Sequence, residues 1–215
     1  RRKRRVSALL AAARVAIGAR LERVYGSRRM DTDDRINLLA RVARSPGAAK
    51  GGAGPTSILT LAAASYGARV NDDATVPTGF DPNAARLFEA IVEGAYLVAS
   101  ADGVVDESER HTFEKVVAAA SGGIVTEAQV NALLGDLADE LAEDGLDARL
   151  RAIGERAPKR AQAEEVLRIA ALLAQVSDDV SDVERGVLVK LAEACNLTAA
   201  DVDAAMTDVN GSLAG

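Results

Sequence analysis

Ala101-Asp102-Gly103-Val104-Val105-Asp106-Glu107-Ser108-Glu109 recurs in degenerate form as Val176-Ser177-Asp178-Asp179-Val180-Ser181-Asp182-Val183-Glu184, 75 positions further along the chain. At that offset the flanks agree in character: Ile91 aligns with Val166, Val92 with Leu167, Ala95 with Ala170, Phe113 with Leu188 and Val116 with Leu191. Matched apolar positions on both sides of a repeated motif mark an internal duplication. In each copy an apolar helical run leads into an acidic loop. A polar residue then stands three positions ahead of a glutamate, where a second apolar run begins: Asp106-x-x-Glu109 and Ser181-x-x-Glu184. That spacing is the signature of a capping box.

Two readings of these acids follow. In one they only cap helix starts, where an N-cap contributes ~1 kcal/mol and negative charge suits the helix dipole. In the other they hold a divalent cation, because the first loop gathers Asp102, Asp106, Glu107 and Glu109 and the second gathers Asp178, Asp179, Asp182 and Glu184. Carboxylates at that density repel one another unless a cation sits among their oxygens. An EF-hand is excluded, since its loop needs a glutamate at position 12 whereas Glu109 follows Asp102 by seven. One motif alone offers too few ligands, so a full site needs a carbonyl, waters or acids from the other copy.

Alanine-aspartate-glycine, a β-branched residue, a helix cap and a glutamate, given twice on paired helices, resembles the TerB-like family of tellurite resistance proteins. The resemblance covers roughly Pro82 to Val209. It implies an all-helical fold with two pseudo-symmetric halves, and acidic positions associated with divalent cations. Asp102 and Glu109 match the leading aspartate and closing glutamate of the first motif, and Glu184 the closing glutamate of the second. Ser177 departs from the family's leading aspartate, and Asp178 stands where glycine is expected, so either Asp178 serves as the ligand or the second site is weak. With Asp106 and Asp179 added from the acidic loops themselves, the expected metal set is Asp102, Asp106, Glu109, Asp178, Asp179 and Glu184, with Ca²⁺ the expected ion and Mg²⁺ or Mn²⁺ as alternatives. An acidic face repels an oxyanion, so the resemblance points to a stress response rather than to contact with tellurite itself.

The chain of 215 residues has 3% aromatic content and no tryptophan. Its core must therefore be built from Ala, Leu, Val and Ile, which favours close-packed helices. The expected fold is all-α: two pseudo-symmetric three-helix repeats forming one helical domain over residues 82–210, preceded by a basic helical arm with Gly/Pro-containing linkers over residues 1–81. The apolar positions Leu10, Ile17, Leu21 and Val24 predict an amphipathic helix in Ser7–Tyr25, and Ile36, Leu39, Ala40 and Ala43 a second helix ending before Pro46. Ile58 to Val70 reads as a third, Leu146, Leu150 and Ile153 as a connecting helix, and Asn210 to Gly215 as a frayed tail. The glycines between Gly47 and Gly54 mark a linker, since no G-K-[ST] follows to make a phosphate loop.

The net charge of −6 conceals an asymmetry: residues 1–50 hold 14 Lys/Arg against 4 Asp/Glu, and residues 51–215 hold 12 against 28. A basic arm and an acidic body take different partners. The body is expected to dock a basic segment of a partner protein, and residues 1–29 to contact an anionic membrane surface or nucleic acid. The amphipathic helix that follows Arg1–Arg5 favours the membrane. Arg14 interrupts the apolar run behind those five basic residues, so no signal peptide is expected, and the location expected is cytoplasmic, peripheral at the inner membrane surface.

Little here suits an enzyme. There is one histidine, His111, four residues after Glu107 as an exposed helical neighbour, and no nucleophile signature. Cys195 aligns with Ala120 and reads as a small core residue rather than a reactive thiol. No catalytic residue and no small-molecule substrate are expected.

Overall fold

A computed structural model describes residues 31–45, 57–68, 80–103, 105–177 and 180–214. The chain divides into two units, Arg1–Arg35, of which only the last residues are described, and Ile36–Gly215. Among the described residues every regular element is a helix: α1 (Thr32–Arg44), α2 (Ile58–Gly67), α3 (Pro82–Ala99), α4 (Glu107–Ala120), α5 (Glu127–Asp144), α6 (Leu146–Arg156), α7 (Arg160–Leu173) running into a 3₁₀ turn (Ala174–Ser177), α8 (Asp182–Ala194) and α9 (Ala199–Ala214). None of the described helices is long and apolar enough to cross a membrane. The helix expected over Ser7–Tyr25 and the linker at Gly47–Gly54 lie outside the described residues.

Capping chemistry sets most of the helix starts. Asp81 accepts from the Asn83 amide ahead of Pro82, whose fixed φ suits the first helical turn. Thr126 and Gln129 form a reciprocal capping box at the head of α5. Gly122 and Gly123 break the chain after α4 with φ of 73° and 77°, a region that suits glycine. The expected boundaries hold for α1, and α2 ends at Gly67, three residues short of Val70.

α3 and α7 form the centre. α7 buries ten of its fourteen residues, whereas α5 buries four of eighteen, so α7 is enclosed on all sides and α5 lies on the surface. Phe88, Ile91, Leu97, Leu167, Leu172, Leu188 and Leu191 are among the fully buried side chains. With so little aromatic volume available, the helices pack at close range. A methyl added at Gly94 of α3 would stand 3.0 Å from Val166 of α7 and 3.3 Å from Leu191 of α8, so its absence lets three helices meet. At Gly154 of α6 a methyl would overlap the Ala194 carbonyl oxygen of α8, placing backbone against backbone.

The boundary expected at residue 82 falls much earlier. Ile36, Leu39, Ala40, Val42 and Ala43 of α1, and Leu59, Ala62 and Ala63 of α2, belong to the same core as α3 and α7. Their burial outweighs the composition shift that suggested a separate arm. The tail expected to fray from Asn210 is helical to Ala214, because Leu213 continues the apolar face of buried Val209 one turn further. α4 and α8 begin at Glu107 and Asp182, in register with the repeat.

The close approach at Gly154 has a measurable consequence. Gly154→Ala should destabilise the chain by about 2–3 kcal/mol, because the obstacle is backbone and repacking cannot relieve it. Gly135→Ala, in α5 with nothing within 4 Å of the added methyl, should stabilise it by up to ~1 kcal/mol through helix propensity. Urea unfolding of both variants checks this; a neutral Gly154→Ala would show that α6 and α8 are further apart than described.

Candidate functional site

The first acidic loop is built as a cap. Asp106 accepts the Glu109 amide at 2.8 Å and Glu109 accepts the Asp106 amide at 3.0 Å, so the two carboxylates face backbone donors rather than a common centre. Asp102 is exposed, three residues past the end of α3, beside Gly103. At the second loop Ser181 accepts the Glu184 amide at 3.2 Å, Glu184 accepts the Ser181 amide at 2.7 Å, and Glu184 is buried, at 4% exposure. Asp178 and Asp179 lie outside the described residues. Among the described residues no three His, Cys, Asp or Glu side chains converge in a way that could hold a metal ion.

Behind the first loop a polar cluster ties α4 to α5. Buried Glu114 accepts from Arg110 Nε at 3.2 Å and from Asn131 Nδ2 at 2.5 Å, and Arg110 Nη2 donates to the Asn131 carbonyl at 3.0 Å. His111 is exposed, as expected, and its Nδ1 lies 3.9 Å from Glu114 on the next turn. Cys195 is buried, and desolvation pushes its thiol up to about 11, so at neutral pH it stays protonated and unreactive.

Two buried ion pairs went unread in the sequence. Glu93, in the middle of the apolar face of α3 and 1% exposed, accepts from Arg149 Nε at 2.6 Å and from Arg156 Nη1 at 2.9 Å, both on α6. Arg149 also pairs with Glu140 and, at 3.1 Å, with Asp144, both on α5. Gly145 alone joins α5 to α6, with φ at 77°, and this sharp turn brings Arg149 back beside those carboxylates. Arg168 of α7 holds Glu165 on the same helix through Nε at 2.8 Å, and donates to the Val42 and Ala43 carbonyls at 3.0 and 2.9 Å. The signal was available: Glu93 and Arg168 occupy equivalent positions in the 75-residue alignment, each a charge inside an apolar run.

An apolar void of about 10 Å³ lies between Ala43, Leu59, Ile91, Val116, Ile169 and Leu173. A site for a water needs about that volume together with polar partners, so this void is dry and too small for a substrate.

No protein-family model, curated protein or solved structure matches the chain. Its chemistry is therefore read from the surface. There α5 carries Glu127, Asp136, Asp139, Glu140, Glu143 and Asp144 without a single Lys or Arg. Arg149 engages Glu140 and Asp144, while Asp136, Asp139 and Glu143, spaced i, i+3, i+7, form an exposed stripe.

Burial is the largest influence on Glu93 and raises its pKa above the ordinary carboxylate value, against the lowering pull of Arg149 and Arg156. A carboxyl with a raised folded pKa adds stability below its unfolded pKa and loses it as pH rises through the folded value. Arg149→Met removes the nearest opposing charge and raises that pKa further. It should cost about 3–5 kcal/mol near pH 7 by leaving a buried carboxylate underpaired. The loss should be smaller at pH 5 than at pH 7, because acidification favours the neutral form of a carboxyl whose pKa is raised by burial. Chemical denaturation at the two pH values checks the sign; a loss that grows on acidification would contradict the assignment.

Proposed function

We infer that the chain is a non-enzymatic binding module that docks a Lys/Arg-rich segment of a partner protein along the stripe Asp136, Asp139 and Glu143 of α5. One observation carries this reading: the exposed stripe continues into the last turn of α5 at Glu143, where the helix dipole and the like charge of Asp139 one turn back both oppose it. A local arrangement that weakens its own helix is expected where function uses it. The duplication supports treating α3–α5 and α7–α9 as pseudo-symmetric halves, and with the Ala101-Asp102-Gly103 motif it supports a TerB-like, stress-response type of module. On sequence grounds residues 1–29 tether it to an anionic surface, the inner face of a membrane ahead of nucleic acid, in the cytoplasm.

A second reading is the divalent-cation module that the resemblance implies. Its support is that Asp106 and Glu109 each commit one oxygen to the capping box, Oδ1 and Oε2, which leaves the second oxygen of each outside it, and that Asp102 in the same loop is exposed. Metal analysis of the purified chain before and after chelation tests it; a chain free of Ca²⁺, Mg²⁺ and Mn²⁺ that takes up none would end this reading.

The docking reading is tested by calorimetric titration with a synthetic Lys/Arg-rich peptide. Binding should be measurable at low salt and weaken strongly by roughly 0.15 M, where charges are screened within ~8 Å. Asp136→Asn, Asp139→Asn and Glu143→Gln together should reduce affinity at least ~10-fold, about 1.4 kcal/mol. Exposed Asp203→Asn on α9 is the control, expected to change nothing. Equal affinity in the stripe variant and the wild type would overturn the assignment of the stripe.

A further inference from the structure

The last turn of α1 and the first turn of α2 meet α7 through one buried polar unit. Arg168 and Glu165 are each about 92% buried in their side chains, with 8% exposure. Arg168 donates to the carbonyls of Val42 and Ala43 at the end of α1, of which Val42 also accepts the Ser45 amide at 3.2 Å. Glu165 accepts the amide of Leu59, in the first turn of α2, at 3.4 Å. A cation thus stands at a helix C-terminus and an anion at a helix N-terminus, each favourable to the dipole it faces. The ion pair bonds both helix ends in addition to their local caps, Ser45 at the end of α1 and Ser57 at the start of α2.

The same two residues, Ala43 and Leu59, also line the apolar void, together with Ile169 next to Arg168. The junction is therefore joined by polar bonds on one side and incompletely packed on the other. Both properties lower the free energy of opening. Polar groups regain hydrogen bonds from water when a seam opens, so the net loss per bond is small. A void means that dispersion contacts are already missing.

We propose that Arg168 and Glu165 form a latch, and that the end of α1 and the start of α2 open together as one local unit while α3–α9 stay folded. The ion pair makes the two helix ends interdependent: when α1 leaves, Arg168 hydrates and draws Glu165 away from Leu59. The opening uncovers Leu59, Ile91 and Ile169 and so widens the void into an accessible apolar recess.

Native-state amide hydrogen exchange on the full chain, followed by mass spectrometry at increasing denaturant, tests this. In the wild type, amides of residues 40–45 and 58–61 should exchange through openings with a shallower denaturant dependence than those of α3 and α7. In Arg168→Met both segments should exchange roughly tenfold faster, which corresponds to ~1.4 kcal/mol. The same should hold for Glu165→Gln. Arg160→Met, exposed at the head of α7, should leave both segments unchanged. The latch is overturned if the two segments open only with α3 and α7 in the wild type, a result that does not depend on any variant folding. It is equally overturned if only one of them responds in both latch variants.

Discussion

Everything in this structure depends on helices coming close enough to bury one another without large side chains. With no tryptophan and few other aromatic residues, dense packing has to come from Ala, Val, Leu and Gly. Gly94 is where α3, α7 and α8 converge, and Gly154 lets the α6 backbone reach that of α8. Close packing of this kind leaves little interior room. The void at the junction of α1, α2 and α7 is about one water in size and apolar. The proposed recognition chemistry lies at the surface, on acidic α5.

Close packing also governs where charge enters the interior. Glu93–Arg149–Arg156 and Glu165–Arg168 both sit where a central helix meets the ends of its neighbours, and each joins elements that apolar burial alone would leave free to slide. Charged pairs of this type cost desolvation and add little net stability. Their contribution is geometric. Glu93 fixes α6 against α3, and Arg149 in turn holds the end of α5, the helix that carries the proposed docking stripe. Arg149 thus adds a polar link between the stripe and the centre to the apolar contacts of Val130, Leu133, Leu134 and Leu137.

Much of the fold was legible in the sequence because periodicity and capping are local. The apolar positions Ile91, Val92 and Ala95, the caps at Asp106 and Ser181, and the end of α1 before Pro46 all follow from chemistry within a few residues. The extent of the body was not, because α1 and α2 are tied to it by bonds that span more than a hundred residues of sequence, from Arg168 to Val42 and from Leu59 to Glu165. The acids divide in the same manner. Asp106, Glu109 and Glu184 could be named as important from spacing, but whether their oxygens face amides or a shared centre depends on loop geometry that spacing does not encode. In the structure they face amides.

That assignment is the centre of the account, and thermal melting of the full chain tests it most directly, with chelator and with millimolar-range Ca²⁺. If the first loop is a cap, Asp106→Ala lowers the melting temperature by about 2–4 °C, the equivalent of ~1 kcal/mol, by the same amount with or without Ca²⁺. Asp102→Asn then leaves it unchanged, and the wild type melts alike in both solutions. A wild-type melting temperature that rises with Ca²⁺, and a rise that Asp102→Asn abolishes, would contradict the account and make the loop a cation site.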